Sequence, residues 1–309
     1  MHIPDNFLST PVWAALDVVA APAVALISRR ARSATDTSRL PLLGVMGAFV
    51  FAAQMVNFPV AVGTSGHLVG GTLLACVLGP EAAVLVITCI LVVQSLIFQD
   101  GGVLALGANI FNMALCGVLA GYLPYSWFRR SRWKYHAVFA GGVLSVLASG
   151  LLALAELTLS GIRMPAGLLL ISVLLFLGNA VMEGAITATV LRAIERMNPE
   201  LSGDAPAHAT ALPVRSMAAL GVTALVLGSI GLLIASTAPD GLEHLASSVG
   251  IVWNSRPVLH APFAGYEIQA LGSGPLSRAT AGFLGIAAIY MACLLGSRLL
   301  ARGRRTYSA

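Results

Sequence analysis

The chain has 309 residues, of which 57% are hydrophobic and only 10% charged. A soluble domain carries about 25% charged residues, and a soluble fold of this length could not hide so much apolar surface behind so few charges. The mean hydropathy of +0.86 therefore predicts an all-α integral membrane protein. The net charge of +5 does not point to nucleic acid, because 17 of the 18 basic residues are Arg, set in short clusters between apolar runs as topology signals.

In chain order, apolar runs occupy about 10–28, 40–57, 68–98, 103–123, 136–159, 166–191, 214–236 and 279–297. The run 68–98 is too long for one ordinary span and is broken at Gly79-Pro80-Glu81, where proline cannot continue a helix and a carboxylate prefers the interface. Parity decides how it is counted. With the N-terminus outside and two crossings in 68–98, 15 of the 18 basic residues fall inside, leaving Arg163, Arg256 and Arg278 outside. The expectation is nine helices, N-terminus outside and C-terminus cytoplasmic, in a multi-pass bacterial or archaeal cytoplasmic membrane protein. The opening segment has no basic n-region and no small-residue cleavage site, so the first helix reads as a retained span. Residues 197–213 are rich in Pro, Ala and small polar residues and read as a cytoplasmic linker. This divides the chain into a seven-helix part at 1–196 and a two-helix part at 214–309 with an outer loop at 237–278. No internal repeat is evident, which disfavours an inverted-repeat secondary transporter.

The chemistry is bounded by absences. The single lysine, Lys134, lies in no Gly-Lys-Ser/Thr loop, so the chain has no nucleotide-binding P-loop of its own, and no HExxH occurs. Cys76, Cys89, Cys116 and Cys293 all sit in apolar segments without CxxC spacing, as small buried hydrophobes. Glu156 and Glu183 are the ionisable residues at mid-membrane depth and lack an obvious chain of relay partners. His136 and His208 fall on the inner side, and His244 and His260 in the outer loop. His2 and His67 are different. Both fall on the outer face, His67 opening the short third helix in the run Gly63-Thr64-Ser65-Gly66-His67. The terminal amine of Met1, the amide nitrogen of His2 and its Nδ1 can close a five- and a six-membered chelate on one metal, and the His67 imidazole would complete four nitrogens in a plane. Such ligation suits Ni(II) or Cu(II) and is poor for tetrahedral Zn(II).

The start Met1-His2-Ile3-Pro4-Asp5-Asn6-Phe7-Leu8 resembles the MHIPDGFL opening of the CbiM/NikM proteins, the substrate-specific membrane components of energy-coupling-factor cobalt and nickel transporters. Ser65-Gly66-His67-Leu68-Val69-Gly70-Gly71 through Leu78-Gly79-Pro80 is similar to their second signature. Gln94, Phe98-Gln99-Asp100-Gly101-Gly102 and Leu106-Gly107-Ala108-Asn109-Ile110-Phe111-Asn112-Met113 are similar to the third. The resemblance covers residues 1–196 and implies the same ligand set, Met1, His2 and His67. Asn6 stands where the family usually has Gly, and Glu81 where an aromatic is common. Pro239-Asp240-Gly241-Leu242-Glu243 resembles the PDGLE signature of the two-helix accessory component, and Ala261-Pro262-Phe263-Ala264-Gly265-Tyr266-Glu267 a degraded later motif of it, so the chain reads as a fusion of the two. Ser65, Gln94, Asp100, Asn109 and Asn112 are candidates for orienting the imidazoles, the alternative being polar contacts between helices.

The resulting expectation is a Ni(II) uptake component without enzymatic activity or a cofactor, with Co(II) as alternative cargo. The resemblance implies a transmembrane coupling protein and cytosolic ATPase subunits as partners, in a lipid bilayer. An ion-coupled secondary transporter and a non-transporting metal sensor are the readings of another class.

Overall fold

The computed structural model describes residues 2–34, 40–61, 63–198, 213–236, 238–248 and 258–302. The linker expected at 197–213 lies almost wholly outside the described residues, as does His208. The chain forms a helical bundle. Its helices are α1 (Thr10–Ala34), α2 (Leu40–Gln54), α3 (Gly71–Leu78), α4 (Pro80–Phe98), α5 (Leu106–Phe128), α6 (Lys134–Leu159), α7 (Ala166–Met197), α8 (Val214–Ile234), α9 (Gly241–Ser248) and α10 (Pro275–Arg302).

Every apolar run of the sequence becomes helical, but the segments differ in reach. Among the described residues, seven are long and apolar enough to cross a membrane: α1, α4, α5, α6, α7, α8 and α10. The other two expected crossings are shorter. The 15 residues of α2 extend about 22 Å and the eight of α3 about 12 Å, at about 1.5 Å per residue and against about 30 Å of hydrocarbon. The break expected at Gly79-Pro80 is present. Gly79 takes φ 93°, a conformation that favours glycine, and Pro80 begins α4, where its missing N–H costs nothing.

The approach to α3 departs most from the expected pattern. His67 does not open that helix. Its first residue is Gly71, preceded by Gly70 at φ 76°, and Leu68–Gly70 is a non-helical stretch within the wholly buried segment 64–79. Non-helical backbone is tolerated inside a membrane protein only where other groups satisfy it. Here the Val69 and Gly70 amides donate to the Glu183 carboxylate at 2.6 and 2.9 Å, and the Val69 carbonyl accepts from Gln54 Nε2 at 2.8 Å. Glu183 thus has backbone partners that the sequence pattern did not reveal. Just before this stretch, β1 (Phe58–Ala61) and β2 (Thr64–Gly66) form an antiparallel hairpin pairing Phe58 with Gly66 and Pro59 with Ser65.

The C-terminal helices pack on this frame. A methyl group on Gly44 of α2 would stand 2.7 Å from the ring of Tyr290 on α10, and one on Gly282 of α10 only 2.2 Å from the Gly228 carbonyl on α8. Small residues permit these close helix contacts, which drive association where lipid supplies no hydrophobic effect. Ser216 Oγ donates to Asn198 Oδ1 at 2.8 Å, tying the start of α8 to the end of α7. At the same end of the bundle Lys134 pairs with Glu195, which also accepts from the Tyr135 hydroxyl. The four cysteines are free thiols, Cys89 of α4 lying within hydrogen-bond reach of Cys293 of α10.

Candidate metal centre

The N-terminal strand is stitched into the loop between α4 and α5. The Ile3 amide donates to Asn109 Oδ1 at 2.8 Å, and Asn109 Nδ2 returns a bond to the Ile3 carbonyl at 3.0 Å. One carboxamide therefore satisfies both backbone groups of one residue, as a neighbouring strand would. The Gly102 amide also donates to the Ile3 carbonyl at 2.9 Å, and the Leu104 amide to Asp5 Oδ1 at 2.8 Å. Asn6 has φ 68°, the left-handed region that asparagine enters more readily than most residues, which explains how it replaces glycine in the opening motif.

This stitching buries His2 beside Gly101, where a methyl group would stand 3.3 Å from the His2 Cβ. The His2 ring stacks on that of His67 with centroids 5.2 Å apart and planes 7° from parallel. In both rings Nδ1 is engaged. His2 Nδ1 lies 3.1 Å from Asp100 Oδ1, and an ionised carboxylate only accepts, so Nδ1 carries the hydrogen. His2 Nε2 is buried without a hydrogen-bond partner among the described residues. His67 Nδ1 lies 2.9 Å from the Leu68 carbonyl, which likewise assigns the hydrogen to Nδ1 and the lone pair to Nε2. Burial, then the positive charge of neighbouring groups including His2, lowers the His67 pKa to about 3, so this imidazole is neutral at physiological pH. Burial alone would raise Asp100, but His2 and Tyr266 hold its carboxyl well below the usual range.

Met1 lies outside the described residues. Of the other expected site residues, His2, His67 and Asp100 come together, and Asn109 acts on His2 through Ile3. Gln94 donates to Gln54 Oε1 at 2.9 Å and to the Tyr266 hydroxyl at 3.5 Å, so that Tyr266 and Asp100 stand between it and His2, and Gln54 and Val69 between it and His67. Ser65 faces the C-terminal part. Its hydroxyl donates to the Ala238 carbonyl at 2.6 Å and its amide to the Pro239 carbonyl at 2.9 Å. Asn112 donates to Glu156 at 2.9 Å, away from both histidines. His67 is buried rather than set in an open loop, and it shares a small pocket with Asn179, Phe176 and Asp240. Among the described residues no group of three His, Cys, Asp or Glu side chains could hold a metal, and His244 and His260 join none.

The sequence reading missed Tyr266, Glu183 and Gln54 as site neighbours. Glu183 carried a usable signal, since a carboxylate inside an apolar run requires a partner. Tyr266 and Gln54 carried none that spacing could reveal, because their partners are distant in sequence.

Fold and centre define a multi-pass helical membrane protein that brings two buried imidazoles face to face at one end of its bundle. The family model described as cobalt uptake substrate-specific transmembrane region matches residues 2–201, and the chain belongs to that family, CbiM. A fused nickel transport protein, NikMN, of Rhodobacter capsulatus is 28% identical, with 99% of each chain covered. A cobalt transport protein, CbiM, of Geobacter sulfurreducens is 35% identical over 65% of this chain and 61% of its own. The crystal structure of a truncated transition metal transporter superposes with a TM-score of 0.56 at 30% identity, covering 63% of this chain and 99% of that one.

Proposed function

We propose that this chain is the substrate-binding membrane component of an energy-coupling-factor importer of Ni(II), with Co(II) as the alternative cargo. The metal is held at the outer face by the Met1 amine, the His2 amide and Nδ1, and the His67 imidazole. The observation that carries the reading is the stacked pair of buried rings 5.2 Å apart, one of them kept neutral by burial. At a metal–nitrogen distance of about 2 Å, the two imidazoles lie near enough to serve one ion once a ring turns to aim its in-plane lone pair at it. His67 presents its Nε2 lone pair. His2 has Nδ1 on Asp100, so loading turns its ring over about the Cβ–Cγ bond, which releases Nδ1 and brings Nε2 to the Asp100 side. Asp100 then accepts from the nitrogen that does not bind the metal, the usual arrangement around a metal-bound histidine.

Transport requires energy from elsewhere, since the sequence has no P-loop. In this reading it comes from a transmembrane coupling protein and cytosolic ATPase subunits. Residues 1–196 form the metal-binding domain and 214–309 the fused accessory part, with the N-terminus outside and the C-terminus in the cytoplasm. The planar nitrogen set favours nickel, as does the likeness to the fused nickel transport protein of Rhodobacter capsulatus, while the family as a whole is one of cobalt uptake.

The test is an extension of one or two residues before Met1. It converts the terminal amine into a peptide bond, and Ni(II) and Co(II) binding by the purified protein should fall at least a hundredfold. Undiminished binding sinks the terminal chelate.

A further inference from the structure

We propose that Tyr266, contributed by the C-terminal part of the chain, is a positioning residue of the metal centre that acts through Asp100 on His2. The inference rests on the metal-binding reading above. Tyr266 donates its hydroxyl to Asp100 Oδ2, while the other oxygen of the same carboxylate holds His2 Nδ1. A carboxylate gripped at both oxygens has one orientation, and through it the tyrosine sets the place of the acceptor that His2 bonds, by Nδ1 here and by Nε2 once the ring has turned on loading.

The contact belongs to a longer circuit. The Tyr266 hydroxyl accepts from Gln94 Nε2, which also donates to Gln54 Oε1, and Gln54 Nε2 donates to the Val69 carbonyl two residues from His67. A continuous path of polar contacts thus runs from His2 through Asp100, Tyr266, Gln94 and Gln54 to the His67 strand. Four of its side chains come from residues 2–100, and Tyr266 alone comes from beyond residue 213.

The way Tyr266 is held argues that its place is specified. Its ring stacks on Phe98 at 4.8 Å and packs against Phe51 at 6.4 Å, and the Phe263 amide donates to the Ile97 carbonyl at 2.9 Å. Its backbone has φ 59°, rare for an aromatic residue. Among the described residues the non-glycine residues with positive φ are Asn6, Gln99 and Tyr266. All three lie in the segments that surround His2, and such outliers persist where the surroundings over-determine them. Packing on Phe98 needs only the ring; the hydroxyl is explained by Asp100.

The experiment is a Ni(II) titration of the purified full chain in detergent, following affinity and the ligand-field absorption of the bound ion. The forms compared are wild type, Tyr266→Phe, Asp100→Asn and the double variant. Phe keeps the stacking on Phe98, and a thermal melt of each form reports the fold separately. The expected result is binding about tenfold weaker for Tyr266→Phe, with the absorption band displaced in the direction seen for Asp100→Asn. The double variant should bind no more weakly than Asp100→Asn. Wild-type affinity and spectrum in Tyr266→Phe overturn the inference alone, as does a double variant that loses the sum of the two effects. Absence of Ni(II) binding by the wild type overturns the metal-binding reading and the inference with it.

Discussion

His2 and His67 face each other, yet different kinds of structure hold them. The His67 strand is fastened from within the bundle. Glu183 of α7 takes two of its amides, Gln54 of α2 its Val69 carbonyl, and Asn179 of α7 the His67 carbonyl at 3.3 Å. The His2 strand is fastened by the 99–106 loop, by Asn109 at the start of α5 and, through Asp100, by Tyr266. One imidazole is therefore set by membrane helices alone, and the other by one residue of α5 together with loops that open at lower cost. A site with one fixed and one adjustable ligand can admit an ion and then close on it, with the adjustment confined to the N-terminal side.

The largest effect should come from cutting the fixed side. Glu183→Ala leaves the Val69 and Gly70 amides buried without acceptors, at about 1–3 kcal/mol each. The variant should melt well below wild type in detergent and lose most Ni(II) binding. Glu183→Gln retains one acceptor oxygen and should fall between the two. A Glu183→Ala protein with wild-type melting would show that the carboxylate does not support the His67 strand.

The adjustable side should respond differently. Asn109→Ala removes both bonds to Ile3, and Asn109→Asp removes the donor while keeping an acceptor. Because the N-terminal segment can lift away and wet the freed Ile3 groups without opening the helix bundle, the melting temperature should fall less than for Glu183→Ala. Ni(II) should instead dissociate roughly ten- to a hundredfold faster. Equal damage to melting and to metal release would erase the distinction between the two halves.

How much of this the sequence disclosed follows from the range of each interaction. The Gly79-Pro80 break is written in adjacent residues and was legible, as were the apolar helices and the pairing of His2 with His67. The depth of the His67 segment was not, because Thr64-Ser65-Gly66-His67 has the composition of a surface loop, and its burial is made tolerable by Glu183, 116 positions beyond His67, together with Gln54 and Asn179. Asn109 and Asn112 share a helical face in a regular helix. The hydrogen-bond ladder widens by one residue over Ile110–Gly117, and the two side chains take different partners, Ile3 and Glu156. Such widened turns gather at functional sites but have no signature in spacing.

The smallest and most discriminating effect concerns pH. An ordinary imidazole would compete with metal for a proton near about pH 6.5. Burial, then neighbouring positive charge, lowers the His67 pKa to about 3, so above that pH the imidazole is neutral, and proton competition at His67 begins only as pH falls through about 3. The terminal amine, with an ordinary pKa of about 7.7–8.0, competes from mildly alkaline pH downward. Ni(II) affinity should therefore rise with pH and bend near about pH 8. His67→Ala should lower the whole curve without moving any bend between pH 5 and 8. A bend near pH 6.5 that disappears in His67→Ala would mean that His67 titrates as a solvated imidazole, and that the burial which sets it apart from the N-terminal side is lost in the working protein.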